Sequence, residues 1–184
     1  ELHLKHLRYM RGYKNVINEC IRRNEAGEVA PLAIETSGHG ALSENYYLDD
    51  GAYLAVKLII AAAKARAEGR TLDDLIANLR YPAEAREIRI KVIGQDDAKA
   101  YGQKVLAAFE ERAKERGLTI ASPSYEGVRI VFEGGWALLR MSLHDPNMPL
   151  NIEADAAGGA DEIERTVKDL LEGFDALDLS GFHD

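Results

Sequence analysis

Tyr81-Pro82, near the middle of a 184-residue chain, separates two stretches whose apolar residues repeat differently. Proline carries no backbone N–H and disfavours a helical residue before it, so neither a helix nor a central strand runs through that point. Upstream, strand-like and helix-like segments alternate, the sign of an α/β layer with crossover helices. Downstream, charged and apolar residues alternate from Glu87 to Val92, with Ile88, Ile90 and Val92 facing inward as in a half-exposed strand. The expectation is an α/β chain in two parts, residues 1–80 and 84–184, joined through Arg80-Tyr81-Pro82.

In the first part, Leu2 to Tyr9 reads as a strand. Val16, Ile17, Cys20 and Ile21 form one helical stripe between Tyr13 and Asn24, which makes Cys20 a core residue. Gly27 stops that helix, and Leu32 to Glu35 reads as a short buried strand. Asp49 or Asp50 caps the next helix, whose span Tyr53 to Ala67 is rich enough in Ala, Leu and Ile to be buried on most sides. Thr71-Leu-Asp-Asp74 opens a short helix with the spacing of a capping box.

In the second part, Asp96 to Arg116 reads as a helix with Tyr101, Val105, Ala108 and Phe109 on one face. Val128 to Phe132 and Trp136 to Arg140 form a hairpin about Glu133-Gly134-Gly135. A strand at Leu150 to Glu153 and a helix at Asp161 to Phe174 complete a small antiparallel sheet flanked by two helices, an α+β arrangement. Asp175 to Asp184 reads as an acidic, poorly ordered tail.

Charge narrows the partners. A formal net charge of −8 argues against nucleic acid, whose phosphates need a basic face. No apolar run approaches membrane-spanning length, so no membrane partner is expected. Cys20 is the single cysteine, which excludes an intrachain disulfide and fits a reducing cytoplasm.

Two segments carry chemistry. Arg140-Met-Ser142-Leu-His144-Asp145-Pro146 follows the strand-like run Gly135 to Leu139. It pairs a planar fork of donors with a hydroxyl two residues on, beside a turn that exposes backbone N–H groups; this suits a phosphate, although a hairpin with a solvated arginine has the same pattern. Glu35-Thr-Ser37-Gly38-His39 puts a carboxylate and a hydroxyl at alternate positions, which leave a strand on the same side and suit vicinal sugar hydroxyls. Capping of a neighbouring helix is the other use for such a carboxylate.

Together these segments resemble the α-D-phosphohexomutases, the phosphomannomutases and phosphoglucomutases, whose sugar loop reads Glu-x-Ser-Gly-His and whose phosphate loop is close to Arg-x-Ser-Gly-Thr-Glu-Pro. The resemblance runs from about Arg8 to Phe174, with Arg11-Gly12-Tyr13-Lys14 resembling a further active-site segment. It implies a partial three-layer α/β domain, the family's third, at residues 1–80. A small α+β domain of the TATA-box-binding-protein-like type, the fourth, is implied at 84–184.

Family members also carry a phosphoserine loop like Thr-Ala-Ser-His-Asn and a magnesium loop Asp-x-Asp-x-Asp-Arg, and neither pattern occurs here. The expectation is the C-terminal part of a longer mutase, with the two N-terminal domains as its missing partners. Mg2+ would then be a cofactor of the full-length parent, hexose 1,6-bisphosphate its activator and intermediate, and no residue here catalytic or metal-ligating. The rival reading is a stand-alone sugar-phosphate-binding module without catalysis.

The resemblance also implies roles. A hexose phosphate that turns over between two poses is best anchored through features both poses share, the remote phosphate and a pair of ring hydroxyls. Glu35, Ser37 and His39 would hold the sugar; Arg140, Ser142, His144 and Lys14 would hold the phosphate, with Arg11 and Tyr13 as weaker candidates. His39 could equally orient its own loop, and Lys14 could be a solvated lysine at a helix start. Such cations must dominate within a screening length of about 8 Å to reverse the acidic field locally. The phosphate loop departs from the family pattern at Leu143, His144 and Asp145. His144 would make binding sensitive to pH near its own pKa, and Asp145 would orient Arg140 or cap the turn.

Overall fold

The alternation from Glu87 to Val92 is realised in a computed structural model that describes residues 5–142 and 145–183. The chain forms a mixed α/β fold that divides into two compact units, 1–80 and 81–184.

In unit 2, β3 (Glu84–Val92), β4 (Thr119–Ile120), β5 (Val128–Phe132), β6 (Gly135–Leu139), β7 (Asn147–Ala154) and β8 (Leu177–Asp178) form one sheet. Its order is β4-β5-β6-β7-β3-β8, and every neighbouring pair is antiparallel. The helices α3 (Ala98–Glu115) and α4 (Gly159–Leu171) pack on one face. There Val105 and Phe109 of α3 and Ile163, Val167, Leu170 and Leu171 of α4 meet Ile90, Ile130, Leu139, Leu150 and Ile152 of the strands. Period two in the strands and period 3.6 in the helices deliver apolar side chains to the same layer, which is what one continuous core requires.

Polar groups fix the helix ends. Asp97 accepts the Ala100 N–H at 2.9 Å at the start of α3. Glu84 accepts from Gly158 and Ala160 N–H at 3.1 and 2.9 Å at the start of α4, and these donors hold its carboxyl below the usual range. The far end of α4 is closed by Arg112, whose guanidinium donates to the Leu170 and Glu172 carbonyls, each at 2.8 Å. The expected disordered tail is instead folded. β8 pairs with β3, Leu177 and Phe182 are buried, and the His183 backbone N–H donates to Glu164 at 2.5 Å. Two apolar anchors among the acidic residues outweigh the composition.

Unit 1 is thinner. α1 (Tyr13–Glu25) packs Ile17 and Cys20 against Ala33 of β1 (Leu32–Ile34) and Ala41 of β2 (Gly40–Leu42). Cys20 is core, as its position on the stripe requires. Glu19 is buried too, and Arg22 and Arg23 satisfy it from the same helix. Asp50 caps α2 (Gly51–Ala67) by accepting the Tyr53 N–H at 2.9 Å. Thr71 N–H and Oγ1–H both donate to Asp74, at 2.6 and 3.0 Å, around a single 3-10 turn at Asp73–Leu75.

Three expectations for unit 1 do not hold. Lys5 to Met10 has no regular structure, because a strand needs a neighbour and none pairs with it among the described residues; Leu2 to Leu4 lie outside them. β1 is not a buried strand: only Ala33 is covered, since α1 packs on one face of a two-stranded ribbon and leaves Leu32 and Ile34 exposed. α2 is not buried on most sides either. Val56, Leu58, Ile59 and Ile60 lie at the surface, Ile59 with 67% of its area exposed, because no layer of the described residues covers them.

Candidate functional site

In unit 1, Glu35 to His39 is the turn between β1 and β2, closed by Glu35 N–H donating to the His39 carbonyl at 2.9 Å and Gly38 N–H to the Glu35 carbonyl at 3.0 Å. The carboxylate and hydroxyl therefore do not project side by side from a strand, as the alternation suggested. They meet directly across the turn, with Ser37 Oγ–H donating to Glu35 Oε2 at 3.3 Å. The Gly12 backbone N–H donates to Glu35 Oε1 at 2.5 Å. A carboxylate offers about four acceptor positions, so these two contacts orient Glu35 and leave further capacity for hydroxyl donors.

His39 is held on both sides. Its Nδ1 lies 2.7 Å from Asp49 Oδ2, and an ionised carboxylate only accepts, so Nδ1–H donates and Nε2 faces away. Its ring stacks on Tyr13 at 4.9 Å between centroids and 24° between planes. The Lys14 ammonium sits 5.9 Å from the same tyrosine ring. Gly12, Tyr13 and Lys14, far from Glu35 in sequence, thus border the Glu35 to His39 turn on an exposed face.

Asp49, one of two alternative helix caps in the sequence, takes a different role. Asp50 takes the cap, and Asp49 accepts from His39 and, at 3.1 Å, from Gly40 N–H. The signal was the pair Asp49-Asp50 itself, since one helix start needs only one cap.

In unit 2 the second segment extends the β6–β7 hairpin beyond its regular part. Arg140 N–H donates to the Pro149 carbonyl at 3.1 Å, and Ser142 N–H to the Asn147 carbonyl at 2.9 Å. Strand-like alternation therefore continues through residues 140–142, and Arg140 and Ser142 leave the backbone on the side opposite Met141. The turn closes through Asp145, whose N–H donates to Ser142 Oγ at 3.2 Å and whose carbonyl accepts the Asn147 N–H at 2.8 Å. Leu143 and His144 lie outside the described residues. On the sheet face away from the helices, Glu87 accepts from Arg89 and Asn151 at 2.8 and 3.2 Å. Arg89, then Asn151, and more weakly Arg140 hold its carboxyl below the usual range. Arg129 stacks 4.7 Å over the Trp136 ring, and the Trp136 indole donates to Glu153 at 3.0 Å.

The structure thus gathers Tyr13, Lys14, Glu35, Ser37 and His39 within unit 1 and Arg140 and Ser142 within unit 2. Among the described residues no group of three or more His, Cys, Asp or Glu side chains is able to hold a metal ion. No described helix is long and apolar enough to cross a membrane.

Comparison with known proteins supports the fold. Residues 1–81 match the phosphoglucomutase/phosphomannomutase alpha/beta/alpha domain III. A phosphomannomutase/phosphoglucomutase of Pseudomonas putida is 32% identical over 143 residues, covering 76% of this chain and 27% of the relative. A phosphoglucomutase of Neisseria gonorrhoeae is 26% identical over 144 residues, 78% of this chain and 29% of its own length. A probable phosphoglucosamine mutase of Methanocella arvoryzae is 26% identical over 162 residues, 87% of this chain and 34% of its own. The matches to these relatives span about a third of their length or less. In fold, a crystal structure of a phosphoglucomutase/phosphomannomutase family protein from Burkholderia thailandensis superposes with a TM-score of 0.66 at 21% identity, over 95% of this chain and 33% of that one. By domain over residues 1–81, and by sequence and fold over most of its length, this chain is similar to the α-D-phosphohexomutase family.

Proposed function

We propose that the chain is the substrate-recognition part of a phosphohexomutase that interconverts hexose 1-phosphate and hexose 6-phosphate through a hexose 1,6-bisphosphate. The observation that carries this reading is the Glu35 carboxylate, held by Gly12 N–H and Ser37 Oγ beside a His39 fixed by Asp49 and Tyr13. Glu35 and Ser37 exchange hydrogen bonds with vicinal ring hydroxyls, and His39 offers Nε2 to the same ring. Arg140, with Ser142, binds the phosphate that is not reacting, by the forked geometry guanidinium and phosphate share. Lys14 supplies a further positive charge, and His144 a further donor.

Phosphoryl transfer asks mostly for positioning and charge stabilisation, and positioning is what these residues provide. The phosphoserine and the magnesium site belong, in this reading, to polypeptide that precedes this chain in the complete enzyme. The exposed Val56, Leu58, Ile59 and Ile60 of α2 support it, as an apolar face of that kind suits further polypeptide.

The test is an amide NMR titration of the chain with glucose 6-phosphate, glucose and inorganic phosphate. Glucose 6-phosphate is expected to shift signals in both the Glu35 to His39 turn and the Arg140 to Ser142 segment. Arg140→Ala is expected to weaken binding at least about tenfold, in line with the loss of a charge-assisted bidentate pair. Glu35→Gln should weaken the sugar-dependent part alone. Shifts confined to regions outside both segments would sink the proposal.

A further inference from the structure

Gly102 lies buried inside α3, where glycine is disfavoured relative to alanine, so its presence there needs a cause. A Cβ at Gly102 would fall 2.5 Å from Met141 Sδ and 3.4 Å from Met141 Cγ. Met141 is the residue between Arg140 and Ser142. Because the Arg140–Pro149 and Ser142–Asn147 backbone bonds keep this stretch strand-like, Met141 turns toward the helices while its two neighbours turn away. Its thioether is thus lodged in a notch that only glycine leaves open.

A second close approach backs the same segment. Gly127, at φ +75°, lies so near β6 that a Cβ there would sit 2.1 Å from the Leu139 carbonyl oxygen and 2.8 Å from Arg140 Cα. Ser124 Oγ–H donates to the Gly127 carbonyl at 2.8 Å and holds that turn in place.

We propose that Met141, seated on Gly102, is a positioning residue: it fixes the rotation of the Arg140 to Ser142 backbone and so the direction in which the guanidinium and the hydroxyl are offered to a phosphate ester. The proposal rests on the reading of Arg140 and Ser142 as the phosphate anchor. A forked contact tolerates misplacement of only about 0.5 Å or 10–20°, so loosening the plug is expected to act on affinity before it acts on folding. A methyl at Gly102 meets the flexible end of a methionine rather than backbone, so the thioether yields and α3 does not.

The experiment uses the whole chain and four variants, Gly102→Ala, Met141→Ala, the double variant and Arg140→Ala, in NMR titrations with glucose 6-phosphate alongside thermal melting. Gly102→Ala and Met141→Ala are each expected to weaken binding three- to tenfold with little change in melting. The double variant should be no weaker than Met141→Ala alone, because the clash has gone with the thioether. Without any ligand, the Arg140 Nε–H signal is expected to shift or broaden in Gly102→Ala. If Arg140→Ala abolishes binding while Gly102→Ala leaves both affinity and the Arg140 signal unchanged, the positioning role is overturned and the phosphate anchor stands. Affinity and melting falling in step in both single variants also overturns it, as mere destabilisation. If Arg140→Ala has no effect on binding, the functional reading itself fails, and an unchanged Arg140 signal in Gly102→Ala then removes the positioning role as well.

Discussion

Unit 2 encloses most of its apolar residues and unit 1 leaves many exposed, although both halves carry helices of similar length. α3 and α4 each face a six-stranded sheet, and Phe109, Val105, Val167, Leu170 and Leu171 reach zero exposure. α2 is the more apolar in composition, yet Leu58 and Ile59 are 60% and 67% exposed. The lesson is that an apolar helix is buried only where a second layer exists to receive it, and the layer is a property of the neighbours. The polar chemistry differs in parallel. Unit 1 carries its candidate residues on an exposed turn, held by mutual hydrogen bonds; unit 2 carries them on a hairpin extension whose intervening residue is packed on a helix.

The contrast can be tested from its strongest point downward. Phe109→Ala removes a fully buried ring from unit 2 and is expected to cost about 3–5 kcal/mol in urea unfolding followed by Trp136 fluorescence. Since Trp136 is the only tryptophan, that signal reports unit 2 alone. A cost below about 1 kcal/mol would mean that the core yields easily, and the contrast would break.

Glu164 gives the next effect. Its side chain is 2% exposed, with Arg86 at 2.7 Å and the His183 backbone N–H at 2.5 Å, while Asp161 shares Arg86. Burial alone would raise its carboxyl, but the His183 N–H, Arg86 and the His183 ring outweigh it and hold it below the ordinary value of 4.5. A depressed carboxylate contributes stability that is present above its unfolded pKa and lost as pH falls through the folded value. Unit 2 is therefore expected to weaken below about pH 4.5, and Glu164→Gln should flatten part of that fall. At pH 7, Glu164→Ala is expected to cost about 2–3 kcal/mol, less than a fully buried pair because Arg86 is partly solvated. The same variant should release the Leu177 to His183 segment, visible as faster amide exchange.

Cys20 reads out unit 1 in the same way. It is buried, and burial pushes its thiol up, so it is expected to resist alkylation in the folded chain. With Ile17, Ala33 and Ala41 as its buried apolar company among the described residues, it should become reactive at urea concentrations that leave Trp136 unchanged. Coincident transitions would show one cooperative unit instead. The smallest effect belongs to α2, where Ile59→Asp is expected to change stability by no more than about 0.5 kcal/mol. A loss of several times that would reveal a covering layer.

Much of the candidate site was legible because its segments are short, contiguous and chemically particular. Glu35-Thr-Ser-Gly-His39 and Arg140-Met-Ser142 announce a carboxylate, hydroxyls and a guanidinium at fixed offsets, and such offsets survive whatever the distant packing does. What was not legible is how the groups are held. Gly12 is 23 residues from Glu35, and no local pattern links them. Asp49 and Asp50 stood as alternative caps, and only the fold shows that Asp50 takes the cap and leaves Asp49 to His39.

The sequence alone determined the two helices and the central strands of unit 2, the stripe of α1 and the residue types of the candidate site, because periodicity and turn chemistry act over a few residues. Tertiary structure alone decided that α2 stays exposed, that the acidic tail folds back onto β3 and Glu164, and that Met141 fills the notch at Gly102. Each of those depends on free energy gained between segments tens of residues apart, and a window of ten residues contains only one side of such a contact.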